Sequence, residues 1–352
     1  MISKMVFRTC LVCITIINLV SICQADDKSP PYRVTSENKF PDFSWTSNFH
    51  FVDNKLYFDL YDQTGNTKEL FALDFDGKVS KISAPSLGQP QFIASNNKYF
   101  IYLDNRRDAY AANLVRLASP LIVLEESTGK KLKQLKLINR IVWSRLDGNI
   151  LKLIQVSDTD KGEGLMLELP TLKLLKKVEI DTRLNEFLYA DSVTSWGDKI
   201  VFGGKSLVVL DADFNVEDHV INRPEPVYKG CPITYAAIAT YGDRVVQVEC
   251  GNLVVFNLKN NSFEYSIPQF EHKSVSLAVT EGLIIATPAD WSNINGRIYD
   301  LESGKELAQI PTTFNNIYAD KDRLIVNVTS PPDFKPIILQ TLTLDLKQLR
   351  TQ

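Results

Sequence analysis

The ten residues Leu70–Val79, LFALDFDGKV, join an aliphatic strand to a second strand through a small polar turn. The same sequence motif recurs late in the chain as Ile298–Leu307, IYDLESGKEL. The other copies, the last of them shortened, are Val123–Leu132, Met166–Leu175, Val209–Asp218, Val255–Glu264 and Thr343–Leu349. Successive copies are 51, 43, 43, 46, 43 and 45 residues apart when the equivalent positions are Leu73, Leu124, Leu167, Leu210, Phe256, Tyr299 and Leu344.

This period is typical of one fold class. Units of roughly 40–45 residues, each with four short strands, predict the blades of a β-propeller. The strands of a blade are named A to D here, and a tight A–B turn marks each blade. Seven such turns predict an all-β, seven-bladed propeller of four-stranded antiparallel blades: Asp53-Asn54, Asn96-Asn97, Asp147-Gly148, Gly197-Asp198, Gly242-Asp243, Glu281-Gly282 and Lys321-Asp322.

The fourth blade shows the pattern in full. Its predicted strands are Phe187–Ser195, Lys199–Gly203, Ser206–Asp211 and about Asn215–Ile221. The seventh blade has three, Ile317–Asp320, Arg323–Val328 and Ile337–Asp345, and the isolated strand Tyr32–Ser36 precedes the first blade. A ring without open edges avoids templating aggregation, so we expect this N-terminal strand to complete the last blade. The alternative is a local fourth strand at Leu346–Arg350.

Composition restricts the class of protein. The chain has 352 residues, 44% of them hydrophobic, and a formal net charge of −3. This is ordinary for a globular protein and argues against general nucleic-acid binding, which needs a basic footprint. Because the blades stack around one axis, we expect a single propeller over residues 43–352, preceded by an N-terminal segment at 26–42, and a monomer.

The first 25 residues predict export. Lys4 and Arg8 precede the apolar run Cys10–Ile22, and Cys23-Gln24-Ala25 follows it. A basic start, an apolar stretch of this length and small residues before the cleavage point are typical of a secretory signal peptide, with cleavage after Ala25. The mature chain would then be periplasmic or secreted and would not span a membrane. The alternative is a lipoprotein modified at Cys23.

Two cysteines remain after such cleavage, Cys231 and Cys250. An even pair in an exported chain favours a disulfide. The segments Ile233–Thr240 and Arg244–Glu249 predict a hairpin that brings the two cysteines to its open end. The alternative is two unrelated thiols.

Loop length indicates which face of the propeller binds a ligand. The predicted A–B and C–D connections are short, whereas the B–C and D–A connections on the opposite face are longer and more varied. Binding residues concentrate on loops that a rigid scaffold presents. Arginine and aromatic residues anchor interfaces, so the candidate binding residues are Arg106, Arg107, Tyr110, Tyr228, His272, Trp291 and Phe334.

No catalytic or cofactor motif accompanies these loops. The chain has three histidines, in different blades, and lacks Gly-x-Ser-x-Gly, Walker and dinucleotide patterns. The stretch Ser157–Glu163 resembles half of a calcium loop but lacks its distal glutamate. We therefore expect no cofactor, no metal and no catalytic residue.

The strand–turn–Gly–Lys phrase in Val123–Leu132 and Ile298–Leu307 resembles the repeats of YVTN and quinoprotein-like propellers, and the period is similar to that of WD repeats. This resemblance implies the seven-bladed fold but leaves function open, because the group includes both binding proteins and dehydrogenases. The favoured hypothesis is a non-catalytic scaffold that engages a protein or peptide. The alternatives are a carbohydrate-binding surface and a propeller enzyme, a lactonase-like hydrolase or an oxidoreductase, acting on a small molecule at the central channel.

Overall fold

A computed structural model describes most of the chain from residue 29 onward. The described residues are 29–52, 55–62, 68–82, 90–96, 98–104, 120–136, 140–156, 161–180, 193–203, 206–217, 221–222, 237–249, 251–268, 275–288, 295–310, 317–328 and 336–351. Among them, no helix has the length and apolar character needed to cross a membrane.

The described residues form seven sheets of four antiparallel strands, which confirms the predicted propeller. The first strand is β1 (Tyr32–Phe40). Blades 1 to 3 follow as β2 (Phe43–Val52), β3 (Lys55–Asp62), β4 (Lys68–Asp74), β5 (Val79–Ile82); β6 (Pro90–Ser95), β7 (Tyr99–Asp104), β8 (Pro120–Glu125), β9 (Lys131–Lys136); and β10 (Arg140–Asp147), β11 (Ile150–Val156), β12 (Gly162–Glu168), β13 (Lys173–Glu179).

The remaining blades continue the same order. They are β14 (Val193–Trp196), β15 (Lys199–Phe202), β16 (Ser206–Leu210), β17 (Ile221–Asn222); β18 (Ile238–Tyr241), β19 (Arg244–Glu249), β20 (Asn252–Asn257), β21 (Ser262–Ile267); β22 (Val275–Thr280), β23 (Leu283–Pro288), β24 (Gly296–Asp300), β25 (Glu306–Ile310); and β26 (Ile317–Asp320), β27 (Arg323–Asn327), β28 (Ile337–Leu344), followed by the helix α1 (Leu346–Arg350).

Blades 1 to 6 are simple meanders from strand A at the axis to strand D outside, and β1 takes the outer position in blade 7. The inner strands of neighbouring blades lie side by side. The middle strands are apolar on both faces because a neighbouring blade covers each face. The B strand β23 is buried along its whole length, whereas the outer strand β9 is exposed at nearly every residue.

The hydrophobic core consists of seven separate clusters of described residues, and each cluster joins two neighbouring blades. The cluster that closes the ring contains Phe40, Leu56 and Phe58 together with Ile325 and Leu339, and so joins blade 7 to blade 1. The rings of Phe40 and Phe58 pack edge to face, with their centroids 5.6 Å apart. The burial of apolar surface between blades therefore continues around the whole circle.

The N-terminal strand completes blade 7, as predicted, and it is four residues longer than the sequence pattern suggests. β1 pairs antiparallel with β28, from Tyr32 opposite Leu344 to Phe40 opposite Ile337. The alternative prediction of a strand at Leu346–Arg350 is wrong. Those residues form α1 because the Asp345 carboxylate accepts a hydrogen bond from the Gln348 amide at 2.8 Å and caps the helix.

Two further details differ from the sequence pattern. In blade 4 the outer strand is only Ile221–Asn222, and Val216 makes an isolated bridge to Leu210, because the Asp211 side chain turns the chain there. In blade 7 the second residue of the B strand, Leu324, pairs with Leu342 and not with Leu344. The last step of the repeat, from Tyr299 to Leu342, is therefore 43 residues.

Candidate functional site

The two ends of the propeller differ in the length of their connections. The end that carries the A–B and C–D connections is called the turn face, and its A–B connections span two or three residues. The end that carries the B–C and D–A connections is called the loop face. Its longest connections lie between described strands at residues 105–119, 180–192, 223–237, 289–295 and 328–336.

The predicted binding and disulfide residues lie outside the described residues. They are Arg106, Arg107, Tyr110, Tyr228, Cys231, Cys250, His272, Trp291 and Phe334. The strands that flank them are described, and each ends or begins at the loop face. The hairpin before Cys250 is present as β18 and β19, paired from Ile238 opposite Gln247 to Tyr241 opposite Arg244. The proposed contacts of these side chains, including the disulfide, stay predictions.

The inner strands begin at the loop face beside the axis. Their first residues with described side chains are all apolar: Phe43, Phe92, Ile141, Val193, Ile238, Val275 and Ile317. Such side chains neither donate nor accept protons, so they do not supply acid–base chemistry at this end of the channel.

Buried polar side chains lie in the loop-face halves of the B strands, where the apolar strand pattern does not predict them. They are Asp59, Gln155, Gln247, Glu249 and Thr287. A polar residue four to seven positions after the A–B turn, in a largely apolar strand, is the signal that could have found them. Glu249 is linked to the start of the next strand, because its carbonyl accepts a hydrogen bond from Asn252 Nδ2 at 3.1 Å.

Gln155 belongs to a network on the side of blade 3 that faces blade 2. Its Nε2 donates to Glu163 Oε2 at 2.8 Å, and Lys177 Nζ lies 2.6 Å from Glu163 Oε1. Partial burial raises the pKa of Glu163, but the hydrogen bonds from Lys177 and Gln155 outweigh it and hold that pKa below its ordinary value. Gln155 is 6% exposed, and its Oε1 has no hydrogen-bond partner among the described residues.

The Gln155–Glu163–Lys177 network also bears on the half calcium loop, whose last residue is Glu163. Its carboxylate is already neutralised by Lys177. No group of three His, Cys, Asp or Glu side chains that could hold a metal ion occurs among the described residues.

Two acidic pairs, Asp74/Asp76 and Asp211/Asp213, lie in C–D connections of the turn face, where Asp74 and Asp211 have a structural role. Asp74 Oδ1 accepts hydrogen bonds from the amides of Asp76 and Lys78, and Asp211 Oδ1 accepts them from Asp213 and Asn215. These contacts close the C–D turns, because an aspartate side chain can accept hydrogen bonds from backbone amides a few residues further on. The carboxylates are therefore engaged by the backbone.

Comparison with known proteins identifies the fold and no family. No protein-family model matches the chain, and no curated protein sequence matches it. Similar solved structures include BamB from Moraxella catarrhalis, 11% identical, with a TM-score of 0.52 over 89% of this chain and 99% of that one. The AfRom2 CNH domain is 12% identical, with a TM-score of 0.55 over 90% of this chain and 99% of that domain.

A third similar structure is KlHsv2 with its loop 6CD replaced by a Gly-Ser linker. It is 9% identical, with a TM-score of 0.56 over 85% of this chain and 97% of that one. At these identities the likeness concerns the fold alone. Membership of the YVTN or quinoprotein-like group stays a prediction.

Proposed function

We propose that this chain is an exported binding or scaffold propeller, which engages a protein or peptide partner through its loop face. The difference between the two faces carries the proposal. On the turn face the A–B connections span two or three residues, and the C–D connections span four or five except at residues 211–220 in blade 4. The Asp74 and Asp211 carboxylates there accept hydrogen bonds from backbone amides of their own turns. The loop face instead carries long, varied connections on a rigid frame, which is where binding residues concentrate.

The inner strands support binding rather than catalysis. A propeller enzyme with a site at the channel needs titratable side chains that face one another. The first described side chains at the loop-face ends of the A strands, from Phe43 in blade 1 to Ile317 in blade 7, include no titratable group. Arginine and aromatic residues, the types that anchor protein interfaces, lie in the loop-face connections.

Export is part of the proposal and rests on the N-terminal residues. Lys4, Arg8 and the run Cys10–Ile22 have the order of charge and apolar length that the secretory machinery recognises. N-terminal sequencing of the mature protein checks it: a chain that begins at Asp26 agrees with it, and an uncleaved or lipid-modified chain contradicts cleavage after Ala25.

The loop face is tested by affinity capture with two matched double variants. Arg106→Ala/Trp291→Ala removes one basic and one aromatic residue from loop-face connections. Lys259→Ala/Tyr241→Ala removes the same residue types from the turn face, where Tyr241 is 41% exposed. We expect the first variant to lose the partner that the wild type captures, and the second to keep it. Equal capture by both variants contradicts the assignment of the loop face.

A further inference from the structure

The outer strands of four blades share one irregularity. The pairing of strand D with strand C shifts by one residue at the same place in blades 2, 3, 5 and 6. The residue that bulges out of the ladder is Leu132, Leu175, Glu264 and Leu307, respectively. A β-bulge that recurs at one position of a repeat is part of the fold and not a local defect. It redirects a side chain from the face of the sheet that regular alternation would give it.

Blades 5 and 6 satisfy this bulged residue internally. The Glu264 carboxylate accepts hydrogen bonds from Arg244 Nε at 2.7 Å and from Asn257 Nδ2 at 2.9 Å. Leu307 packs, partly buried, against the cluster between blades 6 and 7. In both blades the bulged side chain therefore stabilises the propeller itself.

Blades 2 and 3 leave the same position open. Leu132 is 36% exposed and Leu175 is 47% exposed, and its neighbour Leu174 is exposed as well. These three leucines make up half of the exposed large hydrophobic residues in the described part of the chain. Isolated exposed leucines need no explanation, but Leu174 and Leu175 are adjacent on one edge, and Leu132 holds the equivalent bulged position in the neighbouring blade.

Lysines surround these leucines. β9 reads KLKQLK and β13 begins KLLKK, in a chain whose net charge is −3. Lys176 pairs with Asp213 at 3.2 Å and Lys177 pairs with Glu163 at 2.6 Å. Within the described ranges, the structure gives no ion pair to the exposed residues Lys133, Lys136 and Lys173. The two edges thus carry positive charge that the propeller does not neutralise.

The backbone of these edges is also available. β9 and β13 are the last strands of their described sheets, so each has one side without a neighbouring strand. Edge lysines commonly protect such a strand from aggregation. Protection against aggregation requires charge only, however. It does not explain why the bulged leucines of blades 2 and 3 are exposed, when the equivalent side chains of blades 5 and 6 contact the propeller itself.

We propose that the outer edge of blade 3, flanked by that of blade 2, docks an acidic, extended polypeptide segment that adds beside β13 as a fifth strand. Main-chain hydrogen bonds to the free edge would supply affinity, the lysines would select acidic residues, and Leu174 and Leu175 would contact alternate apolar side chains. An anionic lipid surface could use the charge but has no backbone to continue the sheet. This surface is separate from the loop face and does not depend on the proposed function.

A synthetic nine-residue peptide that alternates glutamate and valine, labelled with fluorescein, tests the proposal by fluorescence anisotropy. Lys133→Glu/Lys136→Glu/Lys173→Glu reverses the charge of the edges. Lys78→Glu/Lys259→Glu/Lys347→Glu makes the same change of net charge at exposed lysines elsewhere. We expect the edge variant to bind about tenfold or more weakly, the control about as well as the wild type, and binding to weaken with salt.

Two further arms separate strand addition from simple charge attraction. Leu132→Gln/Leu175→Gln changes exposed positions, so its melting temperature should stay at the wild-type value while peptide binding weakens. A peptide with proline in place of every valine and N-methylglutamate in place of every glutamate has the same charge but no backbone N–H within its repeat that could donate to the edge, and we expect it not to bind. Equal binding of the two peptides, or equal binding by the two lysine variants, overturns the proposal.

Vesicles of phosphatidylglycerol give the remaining arm. Wild-type protein that binds these vesicles but not the Glu/Val peptide identifies a lipid surface and overturns the docking of a polypeptide. The Arg106→Ala/Trp291→Ala variant should bind the Glu/Val peptide as the wild type does, because its substitutions lie in loop-face connections. A failure of the loop-face proposal therefore leaves this test unaffected.

Discussion

At the scale of single residues, one glycine holds the N-terminal strand against blade 1. Gly77 lies in the C–D turn of blade 1 with φ +83°, a conformation that favours glycine. Its carbonyl accepts a hydrogen bond from Asn38 Nδ2 at 3.1 Å, and a Cβ atom on Gly77 would lie 2.0 Å from Ser36 Oγ. Ser36 in turn bonds Thr341 Oγ1 at 2.7 Å. A side chain at position 77 would therefore push on the strand that closes the ring.

Gly77→Ala should destabilise the protein more than a matched change at Gly148. Gly148 has φ +58°, and an added Cβ would meet nothing within 4 Å, so Gly148→Ala reports backbone strain alone, about 1–2 kcal/mol. We expect Gly77→Ala to cost roughly 2 kcal/mol more, because Ser36 must also move. Urea unfolding at equilibrium measures both. Equal losses of unfolding free energy would show that the Ser36 contact does not matter.

The sequence already placed these glycines in turns, because glycine between polar residues after an aliphatic strand is a turn signal. It could not show that Gly77 touches Ser36, since these residues are brought together only when blade 7 meets blade 1. The same limit applies to Gln155 and Glu163. Their burial depends on the neighbouring blade and not on their own strand.

At the scale of elements, the closing strand is the informative case. The sequence indicated Tyr32–Ser36, but β1 continues through Glu37, Asn38 and Lys39 to Phe40. These polar residues carry no apolar alternation because β1 is an outer strand whose side chains are mostly exposed. These residues are extended because their backbone pairs with the edge of β28, and the side-chain pattern of β1 does not show this pairing.

Deletion of residues 26–39 should lower the melting temperature by at least about 10 °C, since it removes most of β1 and the hydroxyl contacts of Thr35 and Ser36 with Thr341. A synthetic peptide of residues 29–42, added in trans, should restore part of the loss. Thermal unfolding followed by circular dichroism measures both effects. An unchanged melting temperature after deletion would contradict closure by β1.

At the scale of the whole molecule, the ring is closed in two different ways. All seven boundaries between blades are held by side-chain packing between neighbouring sheets. Blade 7 alone combines the two ends of the chain in one sheet. Those ends meet on the turn face, where Gln348 Nε2 donates to the Ser29 carbonyl at 2.8 Å and the Asp345 amide donates to the Pro31 carbonyl at 2.8 Å.

This arrangement predicts how circular permutants behave. A short Gly-Ser linker joins the two ends, and the ring is opened at one of two places. Opening within 311–316 leaves every blade continuous in sequence, whereas opening within 289–295 divides blade 6 between the new ends. We expect the first permutant to melt about 5 °C below the second, because only the second keeps a hydrogen-bonded closure. Differential scanning calorimetry compares them, and equal values would mean that packing alone closes the ring.

The sequence by itself determined the number of blades, the positions of their turns and the use of the N-terminal strand, because strand period and turn chemistry are local properties that recur seven times. Only the tertiary structure decided that Leu342 replaces Leu344 in register, that polar residues are buried in the B strands, and that bulged leucines stay exposed on blades 2 and 3. Each of these depends on contact between segments far apart in the chain. Local pattern cannot encode which neighbour covers a side chain, so burial had to come from the packed ring.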